Sequence, residues 1–449
     1  MENKITIIGA GLAGSLLSII LAKRGFQVEI FEKRQDMRTQ KVEAGRSINL
    51  ALSHRGLKGL ERAGIGNEIL QEAIPMYGRV LHALNGQLTS VPYGKDTTEF
   101  INSISRSGLN IALLNLAEKF ENITINFAHE LVEVDLDTQN YTFENKNNLT
   151  KKVHFAQKVL AADGAGSLLR NAIKNKIDFQ ENIDFLPHGY KELHIPPTEN
   201  NGFQIEKNAL HIWPRGQYML IGLPNLDGSF TCTLFFPNHG ENSFDTLNSD
   251  EKVKDFFEKN FADTIDLIPN LVNEFQKNPV GMLGTVRCKP WNFEDKVLLL
   301  GDAAHAIVPF YGQGMNCAFE DCVFLDDLIQ EYYQDNNSKS WLNIFEKFNE
   351  LRPKQANAIA DLALENFYEM RDGTAEPAFL RKRELEHLLE NNYADYHSKY
   401  SLVTFHPEVP YADAHRIGNF QDNFLLELCR KNENIKQFDI EKIYQEIKK

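Results

Sequence analysis

The first eleven residues of the ordered pattern, Lys4-Ile-Thr-Ile-Ile-Gly-Ala-Gly-Leu-Ala-Gly14, constrain this chain more than any other stretch. A β-branched run enters a turn with three glycines, and an apolar helix follows. The spacing is that of the dinucleotide fingerprint. Gly9 permits the tight turn, Gly11 lets the backbone approach a pyrophosphate, and Gly14 lets helix and strand pack closely. The free N–H groups at the helix start favour an anion. A second strand ends in Phe31-Glu32-Lys33-Arg34, placing Glu32 21 residues past Gly11, where an acid holds a ribose hydroxyl. Ile5–Ala22 carries no charge and has the length of a membrane segment. The glycine spacing reads it instead as a buried parallel strand with its crossover helix.

At 449 residues the chain has room for two or three domains. Its net charge of −14 argues against a nucleic-acid surface, which needs clustered Lys and Arg. Five cysteines without a Cys-x-x-Cys pair suit a reducing cytoplasm, where they serve as small buried hydrophobes. No His-Glu-x-x-His, Gly-Lys-Ser/Thr phosphate loop or Gly-x-Ser-x-Gly motif is present, so no metal is expected.

Strand and helix alternate over residues 1–70, and short strands and turns follow to 97. Segments Ala209–Pro214, Tyr218–Leu223 and Phe230–Phe236 read as antiparallel strands between turns. A buried strand, Lys296–Gly301, precedes Asp302, and a long helix begins near Gly314. Beyond 340 nearly everything is helical. The expected fold is α/β, with a Rossmann-like dinucleotide domain built from 1–70, 98–176 and 280–340. A mostly antiparallel β-sheet substrate domain, 71–97 and 177–279, is inserted into it. A helical C-terminal region, 341–449, covers the site. Ile435, Phe438, Ile443 and Ile447 mark a terminal amphipathic helix expected to dock on the body, with no membrane anchor.

Two further motifs fit the same cofactor: Ala161-Ala-Asp163-Gly-Ala-Gly166, and Gly301-Asp302-Ala-Ala-His305 running to Gly312-Gln-Gly-Met-Asn316. Asp302 ends a buried strand, the usual ligand position in an open α/β sheet. In this order the three motifs resemble the FAD-dependent aromatic hydroxylases, the single-component flavoprotein monooxygenases. Longer stretches narrow the resemblance to the kynurenine-hydroxylating branch: Gly45-Arg46-Ser-Ile-Asn-Leu-Ala-Leu-Ser-His54-Arg55-Gly56, Val91-Pro-Tyr93-Gly, Ser105-Arg106, Trp213-Pro-Arg215, Pro309–Asn316, Glu369-Met-Arg371 and Val403-Thr-Phe405.

The resemblance implies FAD held by Gly9, Gly11, Ala13, Gly14, Phe31, Glu32, Lys33, Arg34, Ala51, Arg106, Leu131, Asp163, Asp302, Gly314, Met315 and Asn316. It implies that Arg79 and Tyr93 hold a substrate carboxylate, an assignment suited to a guanidinium fork and a phenol donor. Asn366 and Tyr400 add polar contacts from the tail, and Ile221, Leu223, Phe235, Pro309 and Tyr311 line the apolar part. The implied substrate is L-kynurenine, with NADPH and dioxygen as co-substrates. A flavin hydroperoxide carries the oxygen, so no side chain acts as nucleophile. There is no second glycine fingerprint for NADPH, in keeping with that family. Arg46, His54 and His305 receive no role; the two histidines are expected to be satisfied structural residues. A hydroxylase for another aromatic acid and a non-hydroxylating FAD-dependent reductase share the fingerprint.

Overall fold

A computed structural model describes residues 3–39, 49–335, 337, 339–369 and 377–448. Arg46 and the Met370-Arg371 pair lie outside the described residues. The strand Lys4–Ile8 sits near the middle of a six-stranded sheet. Parallel neighbours are Val159–Ala161 and then Val297–Leu299 on one side, and Gln27–Phe31 and then Ile123–Asn126 on the other. The short strand Asn292–Phe293 closes one edge antiparallel. The fingerprint helix, Leu12–Lys23, buries an unbroken run from Gly14 to Ala22. Full burial explains the absence of charge there: each of Leu16, Leu17, Ile19 and Ile20 contributes about 1.5–3 kcal/mol.

The second large sheet has seven strands, in the order Gly281–Lys289, Gln180–Ile195, Phe230–Pro237, Tyr218–Pro224, Ala209–Arg215, Gly78–His82 and Leu88–Pro92. All pairings are antiparallel except Ala209–Arg215 with Gly78–His82. Gly281–Lys289 thus belongs to this sheet, although the sequence reading ended the insertion at 279. Two glycines break its apolar alternation, so only pairing with Gln180–Ile195 reveals the strand. Asn49–Leu52 likewise leaves the doubly wound order, pairing with Ile101–Ser105, which also carries Ile74–Met76.

Strand period sorts the two faces of the seven-stranded sheet. Leu220, Phe230, Cys232, Leu234 and Phe236 pack with Trp213 against Phe256, Phe257 and Phe275 of the helices Asp250–Asn260 and Leu271–Lys277. Residues one step out of phase, Met219, Ile221, Leu223, Thr233 and Phe235, face the first sheet.

The helix Gly314–Tyr332 packs on the fingerprint helix, on His54–Ala63 and on the 29-residue helix Ser340–Tyr368. The helices Pro377–Asn392, Lys399–Thr404, Tyr411–Lys431 and Ile440–Ile447 follow. The last buries Ile443, Tyr444 and Ile447 against Leu385, Leu389, Leu425 and Cys429. Among the described residues no helix is long and apolar enough to cross a membrane.

Candidate active site

The fingerprint turn shows why glycine stands at its positions. Gly9 has φ +100°, and a side chain there would run into the Ala162 carbonyl. A side chain on Gly14 would strike the Gly9 carbonyl, whereas Gly11 has nothing within 4 Å of the Cβ direction. Gly11 therefore opens onto a cavity of about 590 Å³, within the range of ligand clefts.

Glu32, at the end of the second strand, accepts the Ala10 N–H through Oε2 (2.8 Å) and the Arg34 backbone N–H and Nε–H through Oε1 (3.0 and 2.7 Å). Burial works against its charge, but the Arg34 hydrogen bonds outweigh it and hold the carboxyl below its ordinary value. Asp163 follows the strand Val159–Ala161. Its Oδ2 accepts the Leu168 N–H (3.0 Å), while its Oδ1 is buried without a partner among the described residues. Burial pushes this carboxyl up. Such an atom needs a ligand hydroxyl or amide to pair with.

Asp302 stands where the third parallel strand ends, on a turn fixed from behind. Asp321 accepts the Gly301 N–H (2.9 Å) and the His305 Nε2–H (2.6 Å) on Oδ2, and the Arg352 Nε–H (2.9 Å) on Oδ1. Burial opposes its charge, yet His305 and Arg352 bring its carboxyl down to about 2. His305 is accordingly raised well above its ordinary value, Asp321 outweighing desolvation. His305 is thus a structural ion-pair member behind the Gly301-Asp302 turn. His54 differs from the expectation: its Nδ1 is buried without a partner among the described residues, and burial between Phe100 and Phe405 lowers its basicity.

Across the cavity, Arg79 projects from the strand Gly78–His82. Its guanidinium carbon lies 4.9 Å from the Tyr93 ring centroid and 4.6 Å from that of Tyr400. These two rings stack at 5.4 Å and 10°, and Tyr311 stacks on Tyr400 at 5.7 Å. The Tyr93 hydroxyl is buried without a hydrogen-bond partner among the described residues, and burial pushes the phenol far up. No carboxylate among the described residues forms an ion pair with Arg79. This half-buried guanidinium lines the cavity with no carboxylate beside it among the described residues, and an anionic group entering the cavity can pair with it. Asn366, from the tail, donates its Nδ2–H to the Phe310 carbonyl (2.6 Å), bracing the Pro309–Tyr311 turn.

One cavity brings together nearly all residues named from the sequence. Its wall includes Gly9, Gly11, Ala13, Phe31, Glu32, Lys33, Arg34, Ala51, Arg106, Leu131, Asp163, Asp302, Gly314 and Met315. Arg79, Tyr93, Ile221, Leu223, Phe235, Pro309, Tyr311, Asn366 and Tyr400 line it as well. Gly14 and Asn316 stand behind the wall. Asn316 is fully buried, accepts the Ser53 N–H (3.1 Å) and donates to the Ala51 and Gly312 carbonyls (2.9 and 2.8 Å), so it clamps two wall loops together. The sequence reading missed Met219, Thr233, Leu210 and Ile212. Period two carried the signal for the first two, which lie two residues from Ile221 and Phe235. His129 and Glu130, beside Leu131, had no such signal.

The residues present suit FAD: an open glycine turn at a helix N-terminus, an acid at the second strand end, an orphaned carboxyl oxygen at Asp163, and Arg106 on the same wall. Residues 2–360 match the family model described as FAD binding domain. The chain is 46% identical over 428 residues to kynurenine 3-monooxygenase of Myxococcus xanthus, covering 95% of this chain and 91% of that protein. It is 44% identical to the enzyme of that name from Stenotrophomonas maltophilia (98% and 95% covered), and 43% identical to that from Dictyostelium discoideum (100% and 98%). Among solved structures, 2-methyl-3-hydroxypyridine-5-carboxylic acid oxygenase superposes with a TM-score of 0.65 at 20% identity, over 86% of this chain and 97% of that one. The tetracycline destructase Tet(55) gives 0.60 at 20% identity, over 81% and 89%, a likeness of fold alone. With both chains aligned over nine-tenths or more of their length, the chain belongs to the kynurenine 3-monooxygenase family of FAD-binding monooxygenases.

Proposed function

We propose that this protein hydroxylates L-kynurenine to 3-hydroxykynurenine, with NADPH as reductant and dioxygen as the oxygen source. The observation that carries the reading is Arg79: a guanidinium set against two stacked tyrosine rings, without a carboxylate partner among the described residues, in the cavity that the glycine fingerprint opens onto. FAD, when bound, supplies the transfer of electrons from NADPH to dioxygen and of one oxygen atom to the substrate ring. Gly11 and the start of the helix Leu12–Lys23 hold the pyrophosphate, and Glu32 the ribose. Asp163, Asp302 and Arg106 supply the other polar contacts to the cofactor.

Arg79 pairs with the substrate carboxylate in a fork, and the Tyr93 hydroxyl donates a further bond. That pairing orients the aromatic ring toward Ile221, Leu223, Phe235, Pro309 and Tyr311. These side chains exclude water, which keeps the reduced oxygen from escaping as peroxide. Tyr400 and Asn366 close the pocket from the helical tail. The five buried, unpaired thiols suit a reducing compartment, and the cytoplasm is the proposed location.

The test is NADPH oxidation by the flavin-loaded protein with and without L-kynurenine, with the product identified. Strong stimulation and stoichiometric 3-hydroxykynurenine are expected. Oxidation that yields only hydrogen peroxide, or is equally stimulated by unrelated aromatic acids that become hydroxylated, would overturn the substrate assignment.

A further inference from the structure

Outside the cavity, Glu99, His397 and His406 converge at the seam between the loop that follows Tyr93 and the helical tail. One ligand atom from each lies within 4.8 Å of the others. Glu99 is buried; the two imidazoles are half-buried, so an ion in solution can reach them. The rings of His397 and His406 are 3.8 Å apart between centroids. His406 Nδ1 is hydrogen-bonded to Glu408 (2.7 Å), which turns Nε2 inward. That Nε2 is buried, makes no hydrogen bond among the described residues, and faces Glu99 Oε1 at 3.7 Å. The gap between this nitrogen and the carboxylate takes a cation, either a proton carried on Nε2 or a metal ion that displaces it. The outer carboxylate, imidazole and inner site repeat the arrangement that orients metal-binding histidines. Neither ring nitrogen of His397 is hydrogen-bonded among the described residues.

We propose that Glu99, His397 and His406 bind a divalent transition cation of the zinc type. Two imidazoles and one carboxylate, with a position left for water, form a donor set that zinc accepts and magnesium does not favour. Zinc bonds of about 2.0–2.2 Å place neighbouring ligand atoms about 3.3 Å apart. The 3.7 Å pair needs little movement, and the third ligand atom, within 4.8 Å of both, has at most about 1.5 Å to close. Glu99 and Glu408 together offset the nearby Lys95, whose ammonium is held by the Ala394 carbonyl (3.4 Å). Almost three hundred residues separate Glu99 from His397, so no sequence spacing announces the site.

The consequence follows from what the ligands are attached to. Ser401 already donates its hydroxyl to Glu99 (3.1 Å), and Tyr400 precedes it on the helix Lys399–Thr404. A bound cation clips residues 397–406 to the loop after Tyr93, and so holds the Tyr93–Tyr400 wall closed. That consequence rests on the proposed pocket; the metal site itself does not.

The test uses the full-length, FAD-loaded protein stripped of metal, titrated with zinc chloride or magnesium chloride alone by equilibrium dialysis with elemental analysis. One zinc per chain at roughly micromolar free metal is expected, with a raised Tm and no such response to magnesium. His397→Gln and His406→Gln should each weaken zinc at least about tenfold, and Glu408→Gln by about tenfold. Flavin content reports folding of each variant, and half-buried His397 offers the milder substitution. No stoichiometric zinc at about 100 µM, a weak site by free energy, would overturn the proposal, as would wild-type affinity in both histidine variants. So would zinc binding abolished by Cys317→Ala, which would locate it at the buried His305–Cys317–Asp321 group. Failure here leaves the kynurenine assay unaffected, so the two readings fail separately.

Discussion

Replacing Arg79 tests the substrate reading most directly. In the structure the guanidinium touches the faces of Tyr93 and Tyr400 and has no carboxylate partner among the described residues. Truncating one side of a desolvated, hydrogen-bonded charge pair costs about 2–5 kcal/mol. Taking about 3 kcal/mol for Arg79→Ala, at about 1.4 kcal/mol per tenfold, gives a KM for L-kynurenine raised roughly 100-fold. Arg79→Lys keeps the charge but loses the fork, and a rise of about tenfold is expected. Because the contact is equally present before and after the ring reacts, kcat should fall much less than kcat/KM. The assay is kynurenine-stimulated NADPH oxidation with product quantified, beside flavin content and Tm without substrate. Losing two cation–π contacts at a half-buried site costs roughly 1–2 kcal/mol, so the substrate-free Tm should fall by only a few degrees. An unchanged KM in both variants refutes the carboxylate clamp. Loss of flavin together with a large drop in Tm shows that Arg79 props the wall.

Three other outcomes are expected. Gly11→Val, with open space at its Cβ, should give a folded protein that purifies without flavin; full yellow occupancy would contradict the phosphate role. Arg55 is fully buried, bonds Val403, His406 and Val409 carbonyls and Glu320, and lies 4.0 Å from the Tyr411 ring, tying the tail to the first domain. Arg55→Met should cost about 3–5 kcal/mol and raise the kynurenine KM by loosening the Tyr400 helix, read by denaturant unfolding and kinetics; a cost below about 1 kcal/mol would remove it as a latch. His305 has a folded pKa above its unfolded value, so its ion pair contributes fully below about pH 6.5 and fades as pH rises through the raised value. The stability gap between wild type and His305→Gln should therefore be largest near pH 5–6.5 and shrink in alkali; a gap that grows with pH would reverse the assignment.

Much of the first sheet was legible in the chain because its signals are local. The fingerprint joins a strand, a turn with φ +100° at Gly9 and a helix within twenty consecutive residues. Gly301-Asp302 and Asp163-Gly164 were readable for the same reason, as turns at the ends of buried strands. The Gly281–Lys289 strand was not, since its identity lies in the partner that pairs with it. Met219 and Thr233 were recoverable from period two once Ile221 and Phe235 had been placed.

The contents of the second half of the cavity are a different matter. Nothing within ten residues of Tyr400 states that it will stack on Tyr93, or that both will flank Arg79. The same holds for Asn316, which the resemblance gave as a cofactor contact and whose side chain bridges the Ala51 and Gly312 carbonyls. Sequence by itself determined the backbone turns, because connectivity and the allowed φ, ψ of a few adjacent residues set them. Only the tertiary structure decided which side chains from remote segments meet, because packing two sheets and a helical tail together fixes those distances.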